Sequence, residues 1–191
     1  VSDAFDALLF AGYPGQFGGS ALARILFGET NPSGKLAVSI PDENGQLPVY
    51  YNYREAAFQK DYLDCSGTPR YGFGYGLSYA DFALKEIQIH DTSQAIQVEG
   101  TIENLSAIAG AEVVQVYLRQ YSQRVLPRVK VLCGFQKVFL KAKTTGAFSI
   151  TVPYETLARL NISPNDLPAD FMIQVDASNQ KQVFTKPWKQ Q

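Results

Sequence analysis

The chain has 191 residues, 46% of them apolar and 18% charged, with a formal net charge of −1. That balance suits a globular protein rather than a disordered one, and it offers no positive field to nucleic acid or another polyanion. The length allows one large domain, or a small domain plus part of another. The apolar stretch Ala7 to Gly12 is far short of the roughly 20 residues that a bilayer span requires. The first residue is Val1 and no basic stretch precedes that run, so it is not an intact signal peptide. The N-terminus reads as cut from a longer chain.

Phe5 to Phe10 is a short apolar run of the kind that forms a fully buried parallel strand. Tyr13 to Gly19 follows, and its glycines and proline mark a tight loop. From Ser20 the pattern turns helical, with Leu22, Ile25 and Leu26 at three- and four-residue spacing; Ser20 is the expected N-cap and Gly28 the left-handed residue after the end. Asn31-Pro32-Ser33-Gly34 is a turn signal, and Leu36, Val38 and Ile40 then alternate as a strand up to Pro41. The result is a strand–helix–strand unit, for which two parallel strands would need a right-handed crossover. Such a unit cannot cover both faces of its strands and is expected to belong to a larger α/β layer.

Residues 45–80 show no sustained period but carry Tyr50, Tyr51, Tyr53, Tyr62, Tyr71, Tyr75 and Tyr79. That is too aromatic for a flexible linker, and it predicts an ordered connector lying against a domain surface. Beyond Phe82 the pattern is a run of short strands. They are Leu84 to Ile89, Ile96 to Ile102, Val113 to Leu118, Val131 to Leu140, Phe148 to Val152, Phe171 to Val175 and Gln182 to Thr185, with one helical turn expected over Tyr154 to Leu160. This spacing predicts an antiparallel β-sandwich of the immunoglobulin or fibronectin type. The fold class is therefore mainly β: a fibronectin type III-like antiparallel β-sandwich preceded by a partial α/β segment. The expected division is 1–44, 45–80 and 81–186.

Several motifs then carry a resemblance. Gly12-Tyr13-Pro14-Gly15-Gln16, Gly18-Gly19, Leu26-Phe27-Gly28, Asn31 to Leu36 and Gly45 to Asn52 resemble the last strand–helix–strand of the α/β sandwich domain in family 3 glycoside hydrolases. Phe73-Gly74-Tyr75-Gly76-Leu77-Ser78-Tyr79 is similar to that family's signature at the exit from this domain. Ala109 to Tyr117, with Lys130, Leu132, Gly134 and Phe135, resembles its fibronectin type III-like domain. The match spans roughly residues 7 to 140 in one order. Two positions depart from the pattern: Phe17 stands where an acidic residue is common, and Arg128 where a proline is common, with an altered edge strand as the expected effect.

The resemblance implies a retaining exo-acting β-glycosidase, most often a β-glucosidase or β-xylosidase, active in carbohydrate degradation. Such chemistry uses two carboxyl groups about 5 Å apart, one a nucleophile and the other an acid/base. The resemblance places the nucleophilic Asp on a (β/α)8 barrel and the acid/base Glu on an earlier loop of the sandwich domain. Neither motif occurs in this sequence, so no catalytic residue is assigned. The partners implied are a β-linked glucoside or xyloside, bound through the barrel, and the remainder of the parent enzyme; neither nucleic acid nor membrane is implied, nor any cofactor or metal.

Tyr13, Gln16 and Phe17 are the candidate substrate-binding residues. Their loop follows a strand-like run and opens a helix, where α/β proteins present ligand-facing loops; the alternative is a tight turn packed against the barrel. The loop lacks G-x-G-x-x-G and G-K-[ST], which argues against a nucleotide site. Tyr71, Phe73, Tyr75 and Tyr79 read as packing rather than a sugar-stacking strip, and Asp61 and Asp64 as a solvated surface pair. Glu112 and Gln115 read as strand-end hydrogen bonders. Cys65 and Cys133 read as free thiols, with a disulfide as the alternative, and His90 as a surface residue. The competing class is a stand-alone fibronectin-like binding module, against which the strand–helix–strand unit argues because its exposed strands would invite aggregation.

Overall fold

A computed structural model describes residues 4–54, 61–120, 126–159, 171–177 and 180–186. Its largest part is a sandwich of two antiparallel sheets. Strands β1 (Phe82–Asp91), β2 (Ala95–Asn104) and β5 (Thr145–Pro153) form one sheet in the order β1-β2-β5. Strands β3 (Gly110–Gln120), β4 (Val131–Leu140), β6 (Phe171–Ala177) and β7 (Gln180–Lys186) form the other, in the order β4-β3-β6-β7. All seven expected strands are present, and all pair antiparallel.

The alternation read from sequence is what closes this core. Ile96, Val98 and Ile102 of β2 and Phe148, Ile150 and Val152 of β5 face Val114, Val116 and Leu118 of β3 and Ile173 and Val175 of β6. Each of these buried side chains contributes about 1.5–3 kcal/mol by leaving water. In β1 the apolar residues step by three, from Leu84 to Ile87, and there the ladder slips between Lys85 and Gln88 with Glu86 at a φ of 54°. This bulge returns Ile87 and Ile89 to the core side, where both pack against it. After β5, Tyr154–Arg159 forms the short helix α2, which lays Leu157 on the core; Leu160, expected in the same turn, lies outside the described residues.

The N-terminal part differs from expectation in three ways. Residues 5–10 form no strand and are exposed, because a buried parallel strand exists only with neighbours to pair with and none of the described residues supplies one. Helix α1 spans Gly18–Leu26, with Phe17 rather than Ser20 at the N-cap position. Ala21 N–H donates to Phe17 O at 3.0 Å and Gly18 N–H to Gly15 O at 3.1 Å, so the preceding turn starts the helix early without a side-chain cap. Its end is as expected, with Gly28 left-handed at a φ of 77°. The run from Leu36 to Ile40 forms no parallel sheet. It lies antiparallel to the connector instead, through Leu36 N–H to Tyr75 O, Gly74 N–H to Leu36 O and Ile40 N–H to Tyr71 O, each at 2.8 Å.

The described parts of the connector are tied together by polar contacts. Gln46, buried in a short 3₁₀ turn over Asn44–Gln46, accepts the Asp42 and Glu43 N–H groups at 2.5 and 3.0 Å, while its amide donates to the Ser66 carbonyl. One turn of chain is thereby tied to residues twenty positions further on.

Candidate functional site

Tyr13, Gln16 and Phe17 stand together on the loop that leads into α1, and all three are exposed: Tyr13 is 105% and Phe17 76% accessible. Gly12 and Gly15 take left-handed φ values of 58° and 72°, which folds the loop back so that Gly18 can bond to Gly15. The exposure is not confined to the loop. Phe5, Leu8, Leu9, Phe10, Leu26 and Phe27 also present most or much of their apolar surface to solvent. On the sandwich, Phe135 and Phe139 of β4 are exposed as well, but the residues from Phe5 to Phe27 form the longest run of exposed apolar side chains among the described residues.

The connector is held on the sandwich by side chains of β3. Gln115 donates from Nε2 to Gly74 O at 3.1 Å and accepts the Tyr117 hydroxyl at 2.6 Å. Tyr51 stacks on Phe73 with centroids 3.9 Å apart, and Phe73 meets Tyr117 edge-on at 6.4 Å. Lys130 lies 4.1 Å above the Tyr117 ring and 3.8 Å from Asp176. Burial pushes the Asp176 carboxyl above its ordinary range, against the pull of the Gln174 amide and Lys130, and burial lowers Lys130. Burial likewise raises the Tyr117 hydroxyl, so it stays a hydrogen-bond donor throughout the neutral range.

Higher up, Asn31 accepts Tyr79 N–H at 2.8 Å and exchanges hydrogen bonds with Ser78, and the Tyr79 hydroxyl donates to Ile25 O at the end of α1. Phe73 is therefore a packing residue, as expected, and Tyr71 and Tyr75 pack on each other at 5.3 Å. Asp61 and Asp64 lie exposed in a small loop, where Asp61 accepts Gly67 N–H at 3.2 Å. His90 is exposed, 4.0 Å from Glu99. Both cysteines are free; Cys133 packs on the core, where burial pushes its thiol up to about 12. Arg128 lies just before the edge strand β4 and bridges antiparallel to Arg54. It donates to Asn52 O at 2.9 Å, while Arg54 donates to Leu126 O at 2.7 Å, so the two arginines clasp the connector to the sandwich.

Gln46, Asn31 and Lys35 were read from sequence only as parts of turns or motifs, without a contact of their own, although all three anchor this junction. Lys35 Nζ lies 2.7 Å from Glu112 Oε1 and donates to Gly76 O at 2.8 Å. Glu112 is thus the far end of an ion pair rather than a strand-end hydrogen bonder, and Gln115 acts from within β3. Among the described residues no three His, Cys, Asp or Glu side chains gather as metal ligands.

Comparison with known proteins decides the family. Residues 1–79 match the glycosyl hydrolase family 3 C-terminal domain, and residues 112–178 match the fibronectin type III-like domain. The chain belongs to glycosyl hydrolase family 3. A putative β-xylosidase of Formosa agariphila is 36% identical over 82% of this family 3 chain and 21% of its own length. A periplasmic β-glucosidase of Salmonella typhimurium is 34% identical over 80% of the chain and 22% of its own. The crystal structure of a β-glucosidase from Listeria innocua in complex with glucose superposes with a TM-score of 0.87 at 33% identity, over 97% of this chain and 28% of that one. The chain spans about a fifth of the length of the curated relatives it matches.

Proposed function

We propose that this chain works as the C-terminal portion of a retaining, exo-acting β-glycosidase, a β-glucosidase first and a β-xylosidase second. In this reading it completes an α/β sandwich domain with residues 1–44, runs along the enzyme through the connector 45–80, and buttresses it with the sandwich 81–186. Tyr13, Gln16 and Phe17 line the aglycone side of the sugar site, Phe17 offering an apolar face where many relatives present an acid. The nucleophile and the acid/base come from the barrel and from an earlier loop, and two carboxylates suffice for the reaction without a metal.

The observation that carries the reading is the run of uncovered apolar side chains between Phe5 and Phe27, in which Phe5, Leu8, Leu9, Phe10, Tyr13, Phe17, Leu26 and Phe27 are all exposed. Chain–chain or domain–domain contact is the usual use of such a surface. The beginning of a helix after a glycine-rich loop is also where α/β proteins commonly place ligands. The test is turnover of aryl β-glucosides and β-xylosides. The 191-residue chain alone should leave them uncleaved, while an enzyme that joins it to a barrel domain cleaves them. Cleavage by the chain alone, abolished by an Asp or Glu substitution within it, would overturn the proposal.

A further inference from the structure

Glu112 shares the core-facing register of Val114, Val116 and Leu118 on β3, and it is wholly buried. A carboxylate there is costly unless it is paired. Its compensation is the charge of the Lys35 ammonium, 2.7 Å from Oε1 and itself 9% exposed; neither carboxylate oxygen has a partner in hydrogen-bond geometry among the described residues. Replacing such a pair by apolar groups commonly leaves stability unchanged or improved, so stability alone does not account for it.

The position of the pair suggests another role. Lys35 sits between the Asn31–Gly34 turn and the segment paired with the connector, and its ammonium is shared between Glu112 and Gly76 O. The backbones meet so closely here that a Cβ on Gly76 would lie 2.3 Å from Gly34 O. Three stretches of chain distant in sequence therefore converge on one charge. We propose that the Lys35–Glu112 pair is a registry lock, which sets where the unit bearing α1 is seated on the sandwich without setting the stability of the sandwich itself. A displaced pairing would leave the buried carboxylate without its cation, which penalises every other seating. This inference holds whether or not the Tyr13–Phe17 loop touches sugar.

Native-state hydrogen exchange on the 191-residue chain tests it. The amides of Leu36, Ile40, Tyr71 and Gly74 report on the junction, and those of β2 and β5 on the sandwich. Lys35→Met should speed junction exchange about a hundredfold, since it strands a buried charge, while β2 and β5 keep their rates. Lys35→Met/Glu112→Leu, which leaves no stranded charge, should melt at the parent's temperature yet leave the junction amides at least about tenfold faster than in the parent. Gly76→Ala keeps both charges, displaces the Gly34 carbonyl, and should give the same selective acceleration. Wild-type protection of the junction in the double variant or in Gly76→Ala overturns the proposal. Equal acceleration of junction and sandwich overturns it as well.

Discussion

Gly74→Ala should destabilise the chain by about 3–5 kcal/mol, although it adds a single methyl group. Gly74 has a φ of 83°, in the left-handed region, where an L side chain costs about 1–2 kcal/mol. The new Cβ would stand 2.3 Å from the Tyr117 hydroxyl and 2.4 Å from Gln115 Oε1, closer than either atom tolerates. Both belong to β3 and are buried, and Tyr117 also meets Phe73 and Lys130, so there is little space into which either can retreat. The bonds from Gln115 to Gly74 O and from Tyr117 to Gln115 are then lost or bent, and each buried group left unsatisfied costs about 1–3 kcal/mol. The smaller entropy of the unfolded alanine chain offsets only about 0.4–1 kcal/mol. Urea unfolding followed by circular dichroism measures the difference. A loss below about 0.5 kcal/mol, the range of an ordinary surface substitution, would refute the claim that the connector is pressed onto β3 at this point.

In an enzyme containing this chain, Phe17→Ala should raise KM for aryl glycosides by about 5–150-fold with kcat little changed, since losing an apolar wall costs about 1–3 kcal/mol of binding; unchanged KM would remove the loop from the site. Ile102→Ala, at a wholly buried position, should cost about 2–5 kcal/mol, whereas His90→Ala should stay within about 0.5 kcal/mol; thermal melts compare the two. Asp176 gives a pH signature. Its carboxyl is raised in the folded state, so between that raised value and the ordinary carboxylate range the folded chain binds more protons than the unfolded one. Wild type should therefore gain stability relative to Asp176→Asn as pH falls through that window, and lose the gain as pH rises; urea midpoints at about pH 7 and about pH 4 read it. The opposite slope would mean that Lys130, not burial, dominates the site.

The sandwich was legible because strand alternation is a local property that burial enforces. Even the break in β1 was written in the chain, where Leu84 and Ile87 are three apart rather than two. The N-terminal runs failed for the complementary reason. Phe5 to Phe10 has the composition of a buried strand, but a strand is a relation between segments, and no described segment pairs with it. Leu36 to Ile40 did find a partner, yet it was the connector at Tyr71 to Tyr75, a pairing no local period announces. Ser20 looked like a cap because it preceded the apolar spacing, but the Gly15–Gly18 turn had already begun the helix. Glu112 carried a readable signal, a charge in the register of Val114 and Val116; its partner Lys35 did not, because only the folded chain brings them together.

The connector shows why its aromatics alternate with glycines. Side chains and backbone do opposite jobs along Phe73-Gly74-Tyr75-Gly76. Phe73 inserts between Tyr51 and Tyr117, and Tyr75 packs on Tyr71, which fixes the strip sideways. Gly74 and Gly76 contribute carbonyls, to Gln115 and Lys35, at a distance that any side chain would forbid. The strip therefore grips the sandwich with one residue and lies flush on it with the next, while its outer edge pairs with Leu36 and Ile40. An error at either glycine is accordingly an error of assembly: it loosens the seating of residues 36–40, and with them α1, before it can reach a substrate. That ordering separates the connector from the loop at Tyr13 to Phe17, where a substitution of Tyr13, Gln16 or Phe17 changes an exposed side chain and leaves the junction intact.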